Sequence, residues 1–227
     1  MAGFDIESTG PDPLTARIVT ACIVQCGGDQ PVNAANWLTD VDGEMIPDEA
    51  AAIHGISTEQ ARAEGVPLAE AVTEIIAGLT QAILSGIPIV AMNARYDLTL
   101  LDREAERLGL DALPAGPVID PFVIDKQVDK YRSGKRTLTA LCQHYAVPLD
   151  AAHSADADAI AACRVAWRQG AQHPALSLMT LDELHTAQTK WAAEQAASLQ
   201  EYFRKKDPQA VVEGAWPMIP RQQEGAR

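Results

Sequence analysis

The chain has 227 residues, 47% of them apolar and 22% charged, which describes one folded domain of ordinary size and excludes a disordered chain. A formal net charge of −13 argues against a general polyanion binder. The charge is uneven: residues 1–92 carry 13 acids against Arg17 and Arg62, whereas "KQVDKYRSGKR" (126–136) carries five bases and one acid.

The first strand is expected over residues 1–8. "RIVTACIVQC" (17–26) and "VNAANWL" (32–38), joined through Gly27-Gly28-Asp29, read as a hairpin, so the chain opens as a three-stranded meander. Cys22 and Cys26 share a face there. With Cys142 and Cys163 they make no CxxC pair, and buried free thiols in a reducing cytosol are expected. Ser57 with Gln60 signals a short helix. Pro67 starts a longer one, its apolar positions from Leu68 to Ile83 recurring at helical spacing until Gly86.

"IPIVAMN" (87–93) reads as a buried strand, 96–108 as a helix stopped by Gly109, "PVIDPFV" (117–123) as a strand and "TLTALCQHYAV" (137–147) as a helix. A further helix follows "HSADADA" and closes at Gly170. Strands first, then alternation, predict an α/β domain with a mixed sheet. Thr180 and Glu183 form a capping box for a long amphipathic helix through about residue 204. That division gives a core over 1–170 and an extension over 171–227, which packs on the core or docks a partner. The uncharged run 75–92 approaches the length of a membrane span, but Gly86 divides it into helix end and strand. With Asp5 where a leader would be apolar, a soluble cytoplasmic protein is expected.

Asp5 and Glu7 sit two residues apart, so a strand points both to one face. Alone, D-x-E is a weak signal, equally satisfied by a solvated strand edge. Its position at the end of an apolar strand suits hard-cation binding, because Mg²⁺ takes oxygen ligands. Asp97, in "NARYDLTLLDRE", falls in the first turn of its helix, where the helix dipole alone would favour it. His153 and Asp158 flank the start of the helix at 155. Three such pieces in this order are much harder to obtain by accident than any one.

Taken together, F-D-I-E-S-T-G, N-A-R-Y-D and H-S-A-D-A-D-A resemble the three exonuclease motifs of the DEDDh 3′→5′ exonucleases. That family includes the proofreading subunit of bacterial replicative polymerases, RNase T and oligoribonuclease. "AAIHGIS" resembles the family's Ile-His-Gly-Ile element. The resemblance covers about residues 1–170 and implies an RNase H-like fold of mixed β-sheet flanked by helices, with two Mg²⁺ or Mn²⁺ ions. By position it makes Asp5, Glu7, Asp97 and Asp158 the metal-binding carboxylates and His153 the general base. It also puts His54 and Ile56, with the backbone after Glu7, where the family holds the 3′-terminal nucleotide, and makes Ser8, Thr9, Asn93 and Tyr96 further candidates for substrate binding. Ser8 stands where Thr is commoner, and Asp156 adds an acid at an often apolar position.

The implied activity is metal-dependent hydrolysis from the 3′ end of single-stranded DNA. RNA or short oligoribonucleotides are the alternative substrate, and a catalytically inactive docking subunit of a replication complex is the alternative class. Lys130, Arg132, Lys135 and Arg136, expected on a loop close to the metal site, are candidate phosphate contacts. A polymerase subunit, or a second copy of the chain met through the C-terminal helix, is a candidate partner.

Overall fold

A computed structural model of the chain describes residues 1–27, 33–149 and 154–221. The turn expected at Gly28 and Asp29 lies outside the described residues, and so does His153. Strands β1 (Ala2–Ser8), β2 (Ile18–Gln25) and β3 (Asn33–Leu38) form the expected antiparallel meander, with Ala2 opposite Gln25 and Gln25 opposite Asn33. Two short strands, β4 (Ile89–Val90) and β5 (Val118–Ile119), join in parallel on the other side of β1. The sheet order is β3-β2-β1-β4-β5.

The two-residue period of β1 divides its side chains between two layers. Phe4 and Ile6 enter the main core, where they meet helix α3 (Leu68–Leu84) through Leu68, Val72, Ile75 and Leu79, and helix α4 (Arg95–Arg107) through Leu98 and Leu101. Gly3, Asp5 and Glu7 face the other layer, which is helix α7 (Ala155–Gln172). A Cβ on Gly3 would lie 2.7 Å from the Ala159 carbonyl and 2.8 Å from Cys163 Sγ. Glycine there, with Ala155, Ala159 and Ala162 on the helix, lets α7 lie close on the sheet.

Shorter helices complete the core: α1 (Asp48–His54), α2 (Thr58–Glu64), α5 (Pro121–Val128) and α6 (Leu138–His144). Ser57 accepts the Gln60 amide at 3.2 Å, as its spacing predicts, and Thr137 caps α6 in the same way. After the single turn α8 (Pro174–Ser177), Thr180 and Glu183 form the expected capping box of α9 (Leu181–Arg204).

Helix α9 covers the exposed edge of β5 with side chains in place of a sixth strand. Val118 N–H donates to His185 Nδ1 at 3.1 Å, Asp120 N–H to Gln188 Oε1 at 2.7 Å, and Gln188 Nε2 returns to the Val118 carbonyl at 2.9 Å. An unpaired strand edge is thereby satisfied and shielded. The chain then returns across α4: Trp216 is buried in the main core, and Ile219 N–H donates to Thr99 Oγ1 at 2.9 Å. The extension from 171 therefore packs on the core through these contacts.

Four local expectations differ from what folds. Helix α1 covers residues in which no helix was expected. The strand expected over 117–123 ends at Ile119, because Asp120 caps α5 and Pro121 takes the first helical position. The strand expected over 87–93 is only two residues long. Helix α7 continues past Gly170 to Gln172, a glycine costing only about 0.5–1 kcal/mol inside a helix. No helix among the described residues is long and apolar enough to cross a membrane.

Candidate active site

Oxygen atoms of Asp5, Glu7 and Asp158 all lie within 4.8 Å of one another. Two elements converge to make this cluster, and a third brings Asp97 to the same strand. Strand β1 aims Asp5 and Glu7 at α7, and the first turns of α7 aim Asp158 back. Asp97 comes from the opposite layer: its Oδ1 accepts the Ile6 amide at 3.1 Å, between Asp5 and Glu7 in the chain. A register shift between Glu7 and Ser8 breaks the β1–β2 ladder at this point, the kind of irregularity that re-aims side chains next to a site.

The electrostatics follow from the crowding. Burial pushes the Asp5 carboxyl well above the usual carboxylate range, and the charges of Asp97, Asp158 and Glu7 push it further. Glu7 is pushed up to about 7 by burial and by Asp158. Asp97 is also raised, by burial first, although the Ile6 amide hydrogen bond opposes the shift. Carboxylates held this close without a nearby cation resist ionising together. An all-oxygen donor set of this kind suits a hard divalent ion.

Two hollows flank Glu7, and His54 lines both. The larger, about 620 Å³, is bounded by Ser8, Thr9, Ile53 and Tyr96; the smaller, about 470 Å³, by Trp37, Ile56, Ser154 and Asp156. Gly55, at φ +80, turns the chain after α1 so that the Ile56 amide donates to His54 Nδ1 at 3.2 Å. That bond leaves the ring proton on Nε2. Burial pushes the His54 pKa down, and the Ser8 backbone opposes it, so the ring is neutral at pH 7. The Tyr96 hydroxyl donates to the Gly10 carbonyl and meets the Ser8 hydroxyl. The Thr9 hydroxyl is engaged in the same turn, accepting the Arg17 amide at 2.9 Å. The Ser154 hydroxyl donates to Asp156.

Asn93 is positioned by an acid that the sequence reading missed. Asp120 is buried; its Oδ1 accepts from the Asn93 amide at 3.0 Å and the Phe122 amide at 2.9 Å, its Oδ2 from the Ala94 amide at 3.0 Å and Trp216 Nε1 at 3.1 Å. It thereby joins the start of α4, the start of α5 and the C-terminal strap. Asp before Pro is a helix-start signal, and it could have exposed the cap; the partners at 93 and 216 have no local signature.

The basic segment differs from its expectation. Its first three residues belong to α5, and two of its arginines point inward. Arg132 bonds Asp125 at 2.8 Å, and Arg136 bonds the same carboxylate, which is fully buried. The guanidinium groups of Arg132 and Arg136 thus share an internal acid. Lys130 and Lys135 are exposed.

A five-stranded mixed sheet with helices on both faces, carrying acids on its central strand against a small-faced helix, is the RNase H-like fold of nucleases. A family model described as exonuclease, and named for RNase T, matches residues 2–166. The chain belongs to this exonuclease family. Exonuclease I of E. coli, solved with a dT13 oligonucleotide, is similar at 19% identity and a TM-score of 0.63, over 77% of this chain and 41% of that one. Exonuclease I from Methylocaldum szegediense shares 18% identity at a TM-score of 0.60, over 75% and 40% of the two chains. Exonuclease X, solved with 5′-overhanging duplex DNA, shares 18% at 0.57, over 82% and 97%. At such identities the likeness is one of fold, and the chain spans about two fifths of the Exonuclease I chains. No curated protein matches the sequence.

Proposed function

We propose that this protein is a divalent-metal-dependent 3′→5′ exonuclease acting on the 3′ end of single-stranded DNA. The observation that carries the reading is the convergence of Asp5, Glu7 and Asp158 within 4.8 Å, with Asp97 tied to the strand between the first two. Membership of the exonuclease family supports it, as does the fold shared with Exonuclease I, solved with a single-stranded oligonucleotide.

The four carboxylates would hold a pair of Mg²⁺ or Mn²⁺ ions. Bound there, such a pair would make water a stronger nucleophile and neutralise charge on the attacking and leaving oxygens. Asp5, Glu7, Asp97 and Asp158 thus make an acidic site compatible with an acidic substrate. His153 is the proposed base that removes the proton of the attacking water. Ser8, Thr9, His54 and Tyr96 bound the larger hollow beside Glu7 and are proposed to seat the terminal nucleotide, with Ile56 in the adjoining hollow and Asn93 at the start of α4 as further substrate contacts. His54 Nε2–H is a neutral donor there, and the Tyr96 ring offers a face for a base.

The test is parallel digestion of end-labelled single-stranded DNA, duplex DNA and RNA, with each 3′ and 5′ end blocked in turn. Release of mononucleotides from an open 3′ end of single-stranded DNA in Mg²⁺ is expected. Preference for RNA would move the substrate to the alternative class, and no hydrolysis with any divalent metal would favour a docking subunit.

A further inference from the structure

A basic furrow leads away from Asn93 between α5 and α9. Two adjoining hollows, of about 150 and 310 Å³, form it, and Lys126, Gln195 and Leu199 line both. Arg95 stands at one end, Lys130 and Tyr202 at the other. Asn93 and Arg95 lie within four residues of Asp97 in the chain, at the start of the helix that carries it.

Arg136 lines the furrow and is paired with Asp125, whereas Arg95, Lys126 and Lys130 are among the described cations that form no ion pair. Arg17, Arg103, Arg107, Arg132, Arg136 and Arg221 each reach a carboxylate. Among the described residues, Lys126 and Lys130 form no ion pair, and the guanidinium of Arg95 bonds only the Glu213 carbonyl. Acids outnumber Lys and Arg by 31 to 18, so the lack of partners is not for want of supply. Lys126 is half-buried, and its pKa is lowered by burial and by the like charges of Arg136 and Arg95. Three acids line the furrow and each is engaged: Asp120, whose charge opposes the lowering at Lys126, holds the Asn93 and Ala94 amides, Glu194 pairs with Lys190 at 3.8 Å, and Glu213 accepts the Ala215 amide at 2.6 Å.

Aromatic rings alternate with these charges. Lys126 lies 4.8 Å from the Phe122 ring centre and Lys130 5.9 Å from that of Tyr131. Tyr131 is 90% exposed and Tyr202 57%. Unpaired cations along a groove with open aromatic faces suit a single strand, whose phosphates need charge and whose unpaired bases stack on rings. A duplex keeps its base faces to itself.

We infer that the furrow between α5 and α9 carries the single-stranded segment 5′ of the scissile bond, with Arg95, Lys126 and Lys130 on phosphates and Tyr202 against a base. This rests on the exonuclease reading and extends it to a defined surface.

The experiment is fluorescence anisotropy of the full chain with labelled dT12 in EDTA, where no turnover occurs. A Lys126→Gln, Lys130→Gln double variant removes two phosphate-neutralising charges and should flatten the slope of log K against log salt by about 1.4. Affinity at low salt should fall about tenfold. Tyr202→Ala should cost about fivefold or more, and a dodecamer of glutamate should bind more weakly than dT12 and be indifferent to that change. Unchanged affinity and slope in the double variant would overturn the inference, as would equal binding of poly-glutamate or of a blunt duplex. Because binding is read without catalysis, an inactive wild-type protein would sink the exonuclease reading while leaving this measurement to decide the furrow.

Discussion

Asp97 Oδ1 accepts the Ile6 amide at 3.1 Å, so an acid from α4 is fastened to the strand that supplies Asp5 and Glu7. The bond sets where the fourth carboxylate sits without using up its second oxygen. Asp97→Asn keeps an oxygen acceptor for Ile6 and removes one of several mutually repelling acids. It should melt at or above the wild-type temperature and lose at least about 10²-fold in turnover. Asp97→Ala should be equally inactive and destabilised by about 1–3 kcal/mol, because the buried Ile6 amide loses its acceptor. Near-normal turnover of the Asn variant in Mg²⁺ would remove Asp97 from the metal site.

Gly3 sets the distance between α7 and the sheet. Gly3→Ala places a Cβ 2.7 Å from the Ala159 carbonyl, and neither backbone can yield freely. A loss of about 1–3 kcal/mol is expected, together with weaker Mg²⁺ binding, since Asp158 rides on the displaced helix. Gly170, on the same helix, has nothing within 4 Å of the added carbon, so Gly170→Ala should stabilise by up to about 1 kcal/mol. Thermal melts with and without Mg²⁺ separate the two. Equal behaviour of both variants would mean that close packing at Gly3 does not position the site.

Asp125 is fully buried with Arg132, Arg136 and Tyr145 around it. Burial pushes its carboxyl up, but the hydrogen bonds from those three side chains outweigh it and leave the pKa below the ordinary value. A carboxyl depressed in the folded state stabilises the fold above its unfolded pKa of about 3.9, and that stabilisation is lost as pH falls through the folded value. Asp125→Asn strands two buried guanidinium groups and should cost about 3–5 kcal/mol at pH 7. The gap from wild type should narrow as pH falls below about 4. A gap constant from pH 7 to 2.5 would show that the carboxylate charge is not what holds the arginines.

His153→Ala should lower kcat by about 10²–10⁴-fold, the range for a positioned base, and leave Mg²⁺ binding intact. The acid limb of the wild-type pH–rate profile should disappear in the variant. An unchanged acid limb would assign the base elsewhere.

The sequence by itself was enough for everything that depends on neighbours in the chain. Alternation along 1–8 put Asp5 and Glu7 on one face, helical spacing after Pro67 marked α3, and Thr180 with Glu183 marked the start of α9. These signals survive because strand and helix periods are local properties. The short ends were misread for the same reason: β-formers on both sides of Asp120-Pro121 extended a strand through what is a cap, and Arg132 and Arg136 looked like free cations. Their partner Asp125 lies only 7 and 11 residues away, yet no pattern says which side chains turn inward. Only the tertiary structure decided how closely Asp158 meets Asp5 and Glu7, that Asp120 joins residues 93 and 216, and that α9 covers the β5 edge and walls the furrow. Those relationships depend on how closely whole layers pack, on a missing Cβ at Gly3 and small side chains facing it, and packing distance between layers has no period along the chain.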